Sequence, residues 1–221
     1  EDYPDFEKHR DVYYYTSQPN WIPTQLNLSN GIHSPIDIES LSLEFMKEQL
    51  PTLVNKICLS NFVSNKFLSN VSDIINKAPT PLRHGYTASG QSETVDKITK
   101  SIWFNNRTKN HLVTFEGHFF GRGSFLSRSL SIPNEEFFPT TRLPHPTEQN
   151  QTEIINQLEN VLSKNKTLAV WIEPIRQKFM DKISLDFLKR LRAVCTQYQT
   201  PLVFNETASS LYRYDKNLFF I

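Results

Sequence analysis

The sequence predicts an α/β protein, three-layered around a mostly parallel sheet. Two observations carry this. From residue 84 onward, short apolar runs of strand length alternate with longer segments whose apolar residues recur at helical spacing. The run Leu168–Ile172 is uninterrupted and stops at Glu173-Pro174, as a buried strand does. Strands alternating with helices imply right-handed crossovers and a sheet covered on both faces.

The elements follow in order. Residues 1–40 are rich in Pro and Tyr and read as an irregular N-terminal arm. Tyr13-Tyr14-Tyr15 and Trp21 either cover a partner subunit or pack on their own domain. Leu41, Leu43, Phe45, Met46, Leu50, Leu53, Val54 and Ile57 fit one helical stripe, with a break at Pro51. Phe67, Leu68, Val71, Ile74 and Ile75 form a second, which Pro79 and Pro81 stop. His84–Ala88 is strand-like, and Ser89-Gly90-Gln91-Ser92 turns the chain into a helix over Glu93–Asn105. His111–Phe115 is a strand, residues 124–131 a short strand or turn, and residues 132–149 a Pro-rich surface loop. Glu153–Ser163 and Leu185–Tyr198 are helical, and Leu202–Phe204 is the last strand. The predicted strands end at Ser89, Glu116, Glu173 and Asn205, on one edge of the sheet. Ligands bind at that edge in open α/β sheets.

Composition excludes several classes. The 221 residues are 38% hydrophobic and 21% charged, as in a globular chain, and suffice for one large domain or one and a half small ones. A net charge of +1 argues against a nucleic-acid partner. No apolar run is long enough to span a membrane. The polar start EDYPDFEKHR shows no signal peptide, although the chain does not begin with methionine. Cys58 and Cys195 sit in apolar helical patterns and read as buried thiols of a reducing compartment, so a cytoplasmic location is expected. Asn70-Val71-Ser72 and Asn106-Arg107-Thr108 are not read as glycosylation sites.

The candidate site residues lie at the strand ends. Ser89-Gly90-Gln91-Ser92 before a helix is either an anion cradle or an ordinary Ser-rich helix cap. Glu116–Gly123 is a Gly-punctuated aromatic loop whose Phe can lie flat on a planar ring. His118 has no nucleophile beside it in the pattern and reads as a surface histidine. No metal-ligand spacing, P-loop or GxGxxG is present.

Taken in order, Ser89-Gly90, VTFEGHFFGRG at 113–123, AVWIEPI at 169–175 and LRAVCTQYQTPLVFNETASSLYR at 191–213 resemble the class III, ornithine-aminotransferase-like family of pyridoxal-phosphate (PLP) enzymes. The resemblance covers roughly residues 40–213 and implies part of the large domain of fold type I over residues 41–221. It places Ser89, Gly90, Gln91 and Ser92 at the cofactor phosphate and Phe119 against its ring. Arg122 and Glu173 match family residues, and Phe120 stands where the family has His.

Departures fall on the chemistry. Asn205 stands where the family's Asp holds the pyridine nitrogen protonated, and an amide carries no charge to do so. Ala208 replaces the Gln that contacts the ring hydroxyl. Arg176-Gln177-Lys178 replaces QGE, so Lys178 inverts the charge that normally pairs with a substrate-binding Arg. No Schiff-base lysine is identifiable before Ile221, and Lys216 lies too close to the strand end.

The resemblance implies oligomers through an aminotransferase-type dimer surface. The expectation is a catalytically impaired aminotransferase-like domain serving subunit association or regulation, with PLP retention doubtful. The alternatives are a fragment of an active PLP-dependent aminotransferase, or a site turned to another phosphorylated or anionic ligand.

Overall fold

The computed structural model describes residues 6–10, 13–16, 24–25, 47–48, 65–80, 82–210 and 220. The chain divides into two compact units, Glu1–Gly85 with Ile221, and Tyr86–Phe220.

In the first unit, β1 (Phe6–Arg10), β2 (Tyr13–Thr16) and β3 (Thr24–Gln25) form an antiparallel sheet in the order β1-β2-β3. This corrects the irregular reading of the arm. Phe6 and Tyr13-Tyr14-Tyr15 are good strand formers, and only two residues separate the first pair of strands, a hairpin spacing. Helix α1 (Asn65–Lys77) carries the second predicted stripe. The residues of the first predicted stripe lie outside the described residues, as do Trp21 and Cys58; Lys47 and Glu48, which fall between its members, are helical.

The second unit has the predicted α/β architecture. Its elements are α2 (Gln91–Asn105), β4 (His111–Phe115), α3 (Phe125–Ser131), β5 (Thr140–Leu143), α4 (Gln151–Leu162), β6 (Thr167–Ile172), α5 (Leu185–Gln197) and β7 (Leu202–Phe204). The four strands are parallel, in the order β5-β4-β6-β7. Side chains alternate across the sheet. Val113, Phe115, Val170 and Ile172 therefore pack with α4 and α5 through Ile154, Leu158, Phe187 and Leu191. Leu112, Ala169 and Trp171 pack with Val95 of α2 and Leu130 of α3. A register shift moves the partner of β4 from Thr167 to Ala169 and carries Leu168 into this second layer. Burying each of the Val, Leu, Ile and Phe side chains among these contributes roughly 1.5–3 kcal/mol.

Three expectations are corrected. His84–Ala88 forms no strand, so Ser89 does not end one. Residues 125–131 are helical because Ser124 and Ser127 cap each other: the Ser124 side chain accepts from Ser127 N, and Ser127 Oγ accepts from Ser124 N. The supposed loop 132–149 contains edge strand β5. Arg142 holds it in place by donating to the carbonyls of Leu130 (2.7 Å), Ile132 (3.0 Å) and Ser129 at the end of α3. No described helix is long and apolar enough to cross a membrane.

Candidate functional site

The carboxyl ends of β4, β6 and β7 hand the chain to three turns, and these turns converge on the backbone of one residue, Phe119. Glu173, directly after β6, accepts the Phe119 N–H through Oε2 at 2.8 Å. Asn205, directly after β7, donates from Nδ2 to the Phe119 carbonyl at 2.8 Å. Gln91, the first residue of α2, donates to the same carbonyl at 3.2 Å. Three of the residues predicted for the site thus hold the backbone of a fourth.

Each of these groups has further protein partners. Asn205 Oδ1 accepts from the Thr207 hydroxyl at 2.6 Å and from Thr207 N at 3.3 Å, while Nδ2 also lies 3.4 Å from Glu173 Oε1. These contacts to a backbone carbonyl and a backbone N–H fix which end of the amide is oxygen. Glu173 is fully buried, and Oε1 accepts the Gln177 N–H at 3.2 Å. Burial pushes its carboxyl up to about 8, against the smaller opposing effect of the two amide donors. Ala208 is buried and offers no polar atom.

At the start of α2, Ser89 donates from both N (2.5 Å) and Oγ (2.6 Å) to the Glu93 carboxylate. Lys97 pairs with Glu93 at 2.8 Å and, with Ser89, pulls that exposed carboxyl down to about 2. Gly90 is the N-cap, without a side chain to contribute. Ser92 Oγ accepts from Gly123 N at 2.8 Å and from Ser127 Oγ at 3.0 Å. Gly121 has φ +95 beside it, and a Cβ there would run into Ser92 Oγ. Arg122 is exposed, with its guanidinium 5.6 Å from the Phe119 ring centroid. Lys178 is exposed and lies 5.3 Å from the ring centroid of Phe179. Lys216 lies outside the described residues.

His118 is not at the surface. It is 2% exposed, held between Phe115 and Phe120. Its Nδ1 accepts the Glu173 backbone N–H at 2.9 Å. The proton therefore sits on Nε2, which faces His145 Nδ1 at 3.4 Å. His145 Nε2 in turn faces Asp181 Oδ2 at 3.5 Å, and Arg176 donates to both Asp181 oxygens, one at 2.7 Å. Burial first, then His145 and Arg176, push His118 down to about 3. Burial first, then Arg176, lowers His145, and the bond from Arg176 lowers Asp181.

This buried chain of groups was missed in sequence because His118, His145 and Asp181 are far apart along it and share no spacing. The one local signal was the rigid Pro144-His145-Pro146 segment. Among the described residues no cluster of ligating side chains could hold a metal.

No protein-family model matches the chain. It is 30% identical over 117 residues to the mitochondrial acetylornithine aminotransferase of Debaryomyces hansenii, covering 49% of this chain and 23% of that protein. It is 25% identical over 183 residues to the acetylornithine/succinyldiaminopimelate aminotransferase of Buchnera aphidicola, covering 81% of this chain and 40% of that one. An amine transaminase from an uncultivated Pseudomonas species, solved in its PLP-bound form, matches at TM-score 0.72 and 12% identity, over 95% of this chain and 53% of that one. The chain therefore spans less than half of the curated relatives and about half of the solved structure.

Proposed function

From a chain that is class III aminotransferase-like, divergent, and of the type I transferase fold, we infer a catalytically impaired domain that serves subunit association or regulation. Residues 41–221 would form the partial large domain and residues 1–40 the arm. One observation carries the impairment: side chains expected to hold PLP are engaged by the protein itself. Ser89 is bound by Glu93, Gln91 by the Phe119 carbonyl, and Ser92 by Gly123 and Ser127. Asn205 is bound by Thr207 and Phe119.

The residues present do not fit the cofactor. A phosphate at Ser89 would displace one carboxylate, Glu93, that is held ionised. The backbone N–H groups of the first turn, unpaired within any helix, are what remains for an anion. At the ring nitrogen, Asn205 is neutral and its amide already bonded, and the nearby Glu173 keeps its proton at neutral pH. Phe119 alone retains the chemistry of its expected place, a half-exposed aromatic face. No catalytic step follows from such a donor set.

Titration of the purified chain with PLP tests this, reading visible absorbance and then intact mass after borohydride. The expected result is no stoichiometric adduct. A reducible link to one lysine would overturn the reading and favour a fragment of an active aminotransferase. The association role is read by sedimentation velocity. A concentration-dependent dimer is expected, and a monomer throughout would leave regulation as the role to pursue.

A further inference from the structure

A second candidate site lies at the opposite edge of the sheet. A cavity of about 330 Å³ opens at the amino ends of β4, β5 and β6. Its walls include His111, the first residue of β4, Thr141 of β5, and Lys164 and Lys166 on the segment entering β6, with Asn110 beside them. None of the lining residues is acidic. Among the described residues neither lysine ammonium makes an ion pair or a hydrogen bond. The carboxyl end of α4 lies two residues before Lys164, but a helix end supplies only about half a negative charge. Two formal positive charges therefore stay uncompensated, on exposed side chains that rim a concave wall. The same field reaches His111, whose imidazole is lowered by burial and by Lys164. Its Nε2 lies 3.0 Å from Thr141 Oγ1, which holds the ring in the wall.

We propose that this amino-end cavity binds a small, multiply charged anion of the phosphate-ester or pyrophosphate class, held by Lys164, Lys166 and His111. Lysine binds phosphate as a point charge. Asn110 and Thr141 add amide and hydroxyl groups suited to its oxygens. The volume accommodates more than a single phosphate. The site is separate from the strand ends where the aminotransferase cofactor would lie, so it stands whether or not the reading above does.

Proton NMR of the histidine rings in the full chain tests this with pyrophosphate as the probe. Addition of pyrophosphate should shift His111 saturably and raise its apparent pKa. Potassium chloride at matched ionic strength should not. In the Lys164→Gln/Lys166→Gln double variant the apparent affinity should fall about tenfold or more. Lys164→Gln alone should show a smaller fall, and serves if the double variant does not fold. A His111 response that chloride reproduces, or that survives both substitutions, would overturn the proposal. So would a response at His118 in place of His111, which would put the anion at the carboxyl end.

Discussion

The two edges of the parallel sheet handle polar groups in opposite ways. At the carboxyl edge, Gln91, Glu173 and Asn205 bond the Phe119 backbone, His118 accepts the Glu173 backbone N–H, and the two buried groups, Glu173 and His118, are neutral. At the amino edge, Lys164 and Lys166 line a cavity without any acidic residue in its wall. A buried polar group must find a protein partner, whereas an exposed one can wait for a ligand. A site inherited by fold and a site open to ligands need not be at the same edge.

The contrast breaks most visibly at His118. In His118→Phe the Glu173 backbone N–H loses its acceptor in a buried setting, which costs about 1–3 kcal/mol, and the contact to His145 is lost with it. Urea unfolding should show a loss of about 2–3 kcal/mol. His118→Asn, whose Oδ1 can accept that N–H, should recover part of it. A loss below about 0.5 kcal/mol would mean that the carboxyl-edge bonds are not stabilising.

Glu173→Gln should cost about 1–3 kcal/mol, because an amide NH₂ replaces one of two acceptors facing the Phe119 and Gln177 N–H groups. It should also change how stability depends on pH. The Glu173 carboxyl is raised from 4.5 to about 8, so the folded chain keeps a proton that the unfolded chain releases. Its contribution is full below pH 4.5 and is lost as pH rises to about 8. His118 runs the other way. It is lowered from 6.5 to about 3, so its contribution is full above pH 6.5 and is lost as pH falls to about 3. The slopes oppose each other between 4.5 and 6.5, where this pair places the stability maximum. Glu173→Gln should flatten the alkaline limb and His118→Asn the acid limb, as read from urea midpoints across pH.

Asn205→Asp should destabilise by about 1–2 kcal/mol, since a carboxylate oxygen would face the Phe119 carbonyl in place of a donor. It should not create a PLP chromophore, because Ser89 remains bound to Glu93. Stoichiometric PLP absorbance in this variant would show that the lost charge, and not the Ser89–Glu93 contact, was what kept the cofactor out. At the amino edge, Lys164→Gln should change stability by no more than about 0.5 kcal/mol in urea. A clear loss there would mean that the lysine is structural, and the two edges would no longer differ.

Much of the fold was legible locally. The alternation from His111 to Phe204 follows from apolar periodicity, which is written in neighbouring residues. The edge strand Thr140–Leu143 was not, because it lies between Pro139 and Pro144 and is held by Arg142 reaching the end of a distant helix. In the candidate site, Ser89 and Glu93 are four residues apart, so their pairing was within reach of sequence. The burial of His118 was not, because it depends on Phe115, Phe120 and Glu173 closing around it.

The sequence by itself determined the α/β alternation, the likeness to class III aminotransferases and the substitution of Asn205 and Ala208 at the strand end. Those are properties of residue identity and short-range spacing. Only the tertiary structure decided that Asn205 is bonded to Thr207 and Phe119, that Glu173 keeps its proton, and that Lys164 and Lys166 share a wall with His111. Partner choice and desolvation arise from segments far apart in sequence, and they set what each side chain is free to bind.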